Sequence, residues 1–123
     1  MARKTAGLVG LKQTNKPPLG TYQIHLVRAV NSLGTKAYGA ELERHLIGLG
    51  VETDRGQVYQ ACRRMEERGF LASKQVPEPA RPTYRVTVYH VTTAGEEALD
   101  VSLSIYDGHR LMQENRNRKD RDK

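Results

Sequence analysis

Gln57, Gln60, Arg63 and Arg64 fall within one stretch, Thr53 to Leu71, T-D-R-G-Q-V-Y-Q-A-C-R-R-M-E-E-R-G-F-L. Amides and guanidiniums do no acid-base work at neutral pH. They offer paired donors and acceptors, the chemistry that reads base-pair edges in a major groove. Thr53 or Asp54 can cap a helix here, with Gln57 three residues after Asp54, and Gly69 is a natural stop in the left-handed conformation. At about 100° per residue, Val58, Ala61, Cys62 and Met65 share one face, while Gly56, Gln60 and Arg63 point the other way, flanked by Gln57 and Arg64. A glycine near the N-terminus leaves bare backbone that can approach a phosphate. Glu66 and Glu67 come later, on the turn expected to swing away from a duplex. A solvated amphipathic helix is the competing reading of this segment alone.

Other chemistries find no constellation. His25, His45, His90 and His109 fall on four different elements, with no carboxylate or cysteine at ligand spacing, and neither a phosphate loop nor a nucleophile-base pair is visible. No enzyme, metal or cofactor is expected. Cys62, the single cysteine, lies on the apolar face of its helix and reads as a small buried hydrophobe.

The 123 residues fit one domain with a small core. With 37% hydrophobic residues, no Trp and one Phe, that core must rest on Leu, Val and Tyr. No run approaches the roughly 18 apolar residues of a membrane span, and the basic N-terminus lacks the apolar stretch of a signal peptide. A cytoplasmic location is expected. The net charge of +6 is unevenly spread: residues 1–20 hold Arg3, Lys4, Lys12 and Lys16 and no acid, residues 111–123 hold five basic and three acidic side chains, and residues 21–110 hold eleven of each. A nucleic acid would therefore meet local patterning and basic arms rather than a uniformly positive body.

The flanking elements must position the central helix. Residues 1–20, closing on Lys16-Pro17-Pro18-Leu19-Gly20, read as a flexible basic arm that could lie along phosphates or in a minor groove. Thr21 can cap a first helix in which Ile24, Val27, Val30 and Leu33 recur, ended by Gly34. Thr35 can cap a second, with Tyr38, Leu42, Leu46 and Leu49 on one face and Gly48 and Gly50 breaking it. Three short helices with brief turns, the third carrying the polar outer face, form a helix-turn-helix. After Gly69 the period becomes two: strands are expected over 70–76 and 84–91, with Tyr84, Val86 and Val88 on one face and Arg85, Thr87, Tyr89 and Val91 on the other. Pro77 to Pro82 would form a stiff loop at the tip of this wing, whose Lys74, Arg81 and Arg85 could touch a flanking phosphate or minor groove. Thr93-Ala94-Gly95-Glu96 reads as a capping box opening a fourth helix, about 93–112. Its stripes, Leu99, Leu103 and Tyr106 beside Ala98, Val101, Ile105 and Met112, are wider than one small domain can cover, which predicts a homodimer through this helix. Gly108 is a candidate end or bend of it, and 113–123 is too charged to pack and reads as a disordered tail.

In this order the residues resemble the PadR-like winged-helix transcriptional regulators. The likeness lies in Tyr38-Gly39-Ala40-Glu41-Leu42, in Gly56-Gln57-Val58-Tyr59 followed by Arg64-Met65-Glu66-Glu67-Arg68-Gly69-Phe70-Leu71, and in Tyr89-His90-Val91-Thr92-Thr93-Ala94-Gly95, spanning about 21–112. The resemblance implies that Tyr59, Gln57 and Gln60 meet DNA and that the fourth helix builds the dimer, usually with help from the N-terminal helix. It also implies an effector pocket near the dimer interface, for a small molecule that nothing here identifies. This chain departs from the family's common Thr-Leu-Tyr-Pro, having Gln57-Val58-Tyr59-Gln60, and it looks like the shorter type with a single C-terminal helix.

The expected fold class is α+β, mainly α: a winged helix-turn-helix with three helices, a two-stranded wing and a C-terminal dimerisation helix. The expected function is sequence-specific binding of double-stranded DNA by a ligand-responsive repressor on a pseudo-palindromic operator. Arg63, Gln57 and Gln60 would read or approach base edges, Tyr59, Tyr38, Lys36, Arg55 and Arg64 would hold the backbone, and Arg81 and Lys74 would anchor the wing. Leu99, Leu103, Ile105, Tyr106 and Met112 would form the dimer interface. The alternative is a winged helix used for protein interaction or RNA binding without specific DNA readout.

Overall fold

A computed structural model describes the backbone of residues 16–121 and the side chains of residues 16–107. Residues 1–15 of the expected arm, the side chain of Met112 and those of the expected charged tail lie outside this range. The elements are α1 (Thr21–Leu33), a 3-10 turn (Gly34–Lys36), α2 (Gly39–Gly48), α3 (Arg55–Glu67), β1 (Leu71–Pro77), β2 (Arg85–Val91) and α4 (Thr93–Arg121). The class is mainly helical α+β, with one two-stranded antiparallel sheet as the wing.

The apolar faces of the helices converge on one core. Ile24, Val27 and Val30 of α1 are buried as their spacing requires, joined by the fully enclosed Leu26 and Ala29. Leu42 and Leu46 of α2 meet Val58, Cys62 and Met65 of α3, all at 0% exposure. Each buried Leu contributes roughly 1.5–3 kcal/mol through removal of apolar surface from water. The wing pairs Leu71 with Val91 at its base and Pro77 with Arg85 near its tip. Val88 and Tyr89 point to opposite faces of the sheet, yet both are buried, because the helical unit covers the base of the wing on both sides.

Several boundaries differ from the sequence expectation. Thr35 does not cap α2: it sits in the 3-10 turn, and α2 begins at Gly39 with Tyr38 as N-cap. Ala37 and Tyr38 stay out of the helix, Tyr38 extended, because they pair with β2, through Tyr89 N–H donating to Ala37 O at 2.9 Å and a bridge between Tyr38 and Val88. Leu49, expected on the core face, is 57% exposed in the turn after α2. Gly20, not Thr21, is the N-cap of α1, and the Gln23 side chain reaches back to accept its N–H at 3.0 Å.

Thr92 rather than Thr93 caps α4. Its hydroxyl accepts from Gly95 N–H and donates to Gly69 O at 2.6 Å, tying the start of α4 to the end of α3. Gly95 is buried there, and a Cβ at this position would collide with the Phe70 carbonyl oxygen and lie 2.8 Å from Val91 Cγ1.

The arm and the last helix also need correction. Leu19, assigned to a flexible arm, is fully buried, with its N–H donating to Ser102 Oγ at 3.0 Å, and Arg68 Nη2 donates to Pro18 O at 2.8 Å. The chain is thus fixed to α4 and to the end of α3 before α1 starts. Ser102, a polar residue in an apolar site, is satisfied by that bond and by its own donation to Ala98 O at 2.7 Å. α4 runs through Gly108 to Arg121 without ending there, so the backbone of 113–121 is helical rather than a structureless tail. An interior glycine costs a helix only about 1 kcal/mol, and Gln, Glu, Arg and Lys are good helix formers.

Candidate nucleic-acid interface

α3 is built as its local chemistry dictates. Asp54 accepts from Gln57 N–H at 2.8 Å, satisfying one of the donors orphaned at the helix start. Gly69, at φ +82°, turns the chain out of the helix, and Phe70 N–H returns to Met65 O at 2.8 Å. Cys62 is enclosed by the core. Burial, and then the nearby Glu66 carboxylate, push its thiol up to about 12, so it is a packing residue.

The opposite face of α3 is open. Gly56, Gln60 and Arg63 are exposed along it, with Gln57 and Arg64 on one flank and Arg55 and Tyr59 on the other. Glu66 is turned toward the wing, where it accepts from Ser73 Oγ at 2.8 Å. Tyr89, on the same sheet face as Ser73, packs near Cys62 and Glu66, and burial raises its hydroxyl to about 12. These contacts fix the angle between helix and wing.

On the wing side of α3 lies a cleft of about 350 Å³ lined by Tyr38, Gly39, Arg55, Tyr59, Arg81 and Arg85, among others. Residues from the start of α2, the start of α3 and the wing tip thus meet around one hollow. Arg55 Nε is bonded to Glu43 at 2.8 Å, and that bond is the first cause, with Tyr59 a lesser one, that raises the guanidinium's pKa. Arg81 reaches Glu78 at 3.3 Å and stacks over the Tyr84 ring at 4.6 Å. Arg85 donates to Gln75 O at 2.9 Å. Both ion pairs are solvent-exposed, so each contributes little to stability and its cation can exchange partners.

The cleft does not gather every expected residue. Gln57, Gln60 and Arg64 line a second hollow of about 370 Å³ with Tyr22 and Val51, on the other flank of α3. Lys74 lies opposite Val88 in the register, on the sheet face turned away from Tyr89 and α3, and lines a third hollow with Val30, Asn31 and Thr35. Lys36 is exposed in the 3-10 turn and is not among the cleft residues. Gly39 and Thr87 belong to the cleft and were not anticipated. The sequence signal for Gly39 is its place after Tyr38 in the motif Tyr38-Gly39-Ala40-Glu41-Leu42.

On α4, Leu99 is 7% exposed and belongs to the core of its own protomer, so the expectation that it faces a second copy is corrected. α4 leaves the wing directly, and its first turns cover α1 and β2. Leu103 and Ile105 are half-buried, and Tyr106 is 37% exposed. Among the described residues no group of three or more His, Cys, Asp or Glu is placed to hold a metal ion, and no helix is long and apolar enough to cross a membrane.

The sequence model of the PadR-like transcriptional regulator family matches residues 30–101, from the end of α1 to the buried turns of α4. The chain belongs to this PadR-like family. Solved structures share this fold. One is a PadR family transcription regulator from hypervirulent Clostridium difficile, at 22% identity and TM-score 0.60, covering 80% of this chain and 97% of that one. Another is Bordetella bronchiseptica BpsR, whose DNA binding is regulated by 6-hydroxynicotinic acid, at 16% identity and TM-score 0.56, covering 99% and 90%. A third is Bacillus subtilis PadR in complex with operator DNA, at 14% identity and TM-score 0.53, covering 68% of this chain and 46% of the longer protein. No curated protein sequence matches the chain. The PadR-like assignment accounts for the order of α1 to α3, the wing and α4, and makes transcriptional regulation the activity to explain.

Proposed function

We propose that the chain is a cytoplasmic, ligand-responsive repressor that binds a pseudo-palindromic operator as a homodimer. The observation that carries this reading is the open face of α3, where Gly56, Gln60 and Arg63 stand exposed beside a cleft containing three arginines and two tyrosines. Arg63 and Gln60, with Gln57 on the flank, read base edges. Tyr38, Tyr59 and Arg55 hold the DNA backbone beside the cleft, Arg81 and Arg85 extend that grip along the wing, and Arg64 and Lys36 hold the backbone outside it. Lys74 faces elsewhere, so its wing contact is the weakest member of the set. On DNA, Arg55 and Arg81, both exposed, exchange the half-buried Glu43 and Glu78 for phosphates.

The half-buried Leu103 and Ile105 and the exposed Tyr106 leave apolar surface on α4 after the core is complete, and a second copy of α4 covers it. The dimer sets two α3 helices about 34 Å apart, one turn of duplex. A ligand response is supported by the regulation of BpsR by a small aromatic acid, a property of that protein.

Selection from random duplex DNA at two salt concentrations, beside an Arg63→Ala, Gln60→Ala variant, tests the reading. Enrichment of an inverted repeat that the variant fails to recover is the expected outcome. Salt-sensitive retention without an enriched sequence would reduce the function to nonspecific binding by the arms. No retention would move a protein-interaction role to first place.

A further inference from the structure

Gly39 is the first residue of α2, and the ring of Tyr59 from α3 lies directly against it. A Cβ at Gly39 would stand 2.5 Å from Tyr59 Oη, 2.6 Å from Cζ and 2.9 Å from Cε1, far inside van der Waals contact. The ring therefore occupies the space that any other residue's side chain would take. Its outer side is open: Tyr59 is 47% exposed and lines the same cleft as Arg55, Arg81 and Arg85. Tyr59 adds nothing to the enclosed core that Val58 and Cys62 beside it build.

The geometry points to Gly39 as a positioning residue that sets the Tyr59 hydroxyl for contact with a DNA phosphate in the cleft. This rests on the DNA-binding reading above. A tyrosine has only two side-chain torsions, and a seat that fixes them removes most of the ordering cost of a contact. The seat is bare backbone, which only glycine supplies. The atom a new methyl would strike is the far end of an exposed side chain, so the ring can swing outward and leave the fold intact. Alanine is also a better helix former than glycine. Gly39→Ala should therefore keep or slightly raise stability while weakening DNA binding. A glycine needed only for folding, such as Gly95 against the Phe70 carbonyl, gives the opposite pattern.

The test is a double-mutant cycle on the selected operator duplex, read by fluorescence anisotropy, with a melting curve for each protein. Wild type, Gly39→Ala, Tyr59→Ala and the double variant are compared. A hydrogen bond to a charged phosphate corresponds to roughly tenfold or more in affinity. Each single variant should bind about tenfold more weakly, and the double variant should be no weaker than Tyr59→Ala alone. Gly39→Ala should melt no lower than wild type. Losses that multiply in the double variant, or a Gly39→Ala protein that binds like wild type, would overturn the assignment. So would a Gly39→Ala protein that fails to fold, whether or not the double variant folds, because Gly39 would then serve packing. If Tyr59→Ala binds the operator as tightly as wild type, this inference falls while the DNA reading stands. If wild type retains no duplex at all, the DNA reading falls and takes the inference with it.

Discussion

Ser102→Ala tests whether the residues ahead of α1 are an integral part of the fold. Ser102 is at 0% exposure, and its hydroxyl accepts the Leu19 N–H at 3.0 Å while donating to Ala98 O. Removing it leaves the Leu19 N–H unpaired where water cannot reach. A buried donor without a partner costs about 1–3 kcal/mol. Alanine returns up to roughly 0.5 kcal/mol through its better helix propensity. The net expected loss is about 1–2 kcal/mol, which for a domain of this size lowers the melting midpoint by roughly 5–15 °C. Ser104→Ala, exposed on the same helix, is the control and should stay within about 0.5 kcal/mol of wild type. Thermal and urea unfolding followed by circular dichroism measure both, with an unchanged urea slope marking a loss of stability rather than of compactness. If Ser102→Ala melts within about 2 °C of the Ser104→Ala control, the Leu19 clamp contributes nothing and residues 16–20 revert to a loose arm.

Arg63→Ala should cost roughly 1–3 kcal/mol on the operator and relax specificity at one position, while Arg81→Ala should weaken all duplexes alike and make the salt slope shallower by about one; titrations on matched and mismatched sites separate the two. Gly95→Ala forces backbone against backbone at Phe70, so its urea midpoint should fall by the equivalent of about 1–3 kcal/mol or more, and a wild-type midpoint would refute the close approach. Leu103→Asp should give monomers or insoluble protein, and a folded dimer by light scattering at micromolar concentration would remove α4 from the interface. Burial holds the Cys62 thiol at about 12, against 9.0 unperturbed, and raises the Tyr89 hydroxyl from 10.0 to about 12. Both groups lose their protons first in the unfolded chain, so stability is full below about pH 9 and declines as pH rises toward 12. Urea midpoints measured across that window should fall, and Cys62→Ala should flatten the early part of the decline.

Capping, periodicity and turn chemistry act between residues only a few positions apart, so the features of α3 that depend on them were legible in the sequence. The Asp54 cap, the Gly69 stop and the split of α3 into an apolar face of Val58, Cys62 and Met65 and a polar face of Gly56, Gln60 and Arg63 are of this kind. So is the order of three helices, two-stranded wing and fourth helix. Other features join residues far apart in the chain. Ala37 and Tyr38 stay out of the helix because β2, some fifty residues later, pairs with them. Leu19 is buried because Ser102 offers an acceptor across 83 positions. The wing's register and the side of the sheet facing α3 put Arg81 and Arg85 in the cleft with Tyr59 and turn Lys74 away. Leu99 is taken by its own core because α4 springs directly from the wing. Gly39 looks like an ordinary helix-start glycine until the Tyr59 ring, twenty residues on, fills its missing side chain. Local hydrogen bonding and hydrophobic period wrote the list of elements, whereas close packing between distant residues decided which side chains share the cleft.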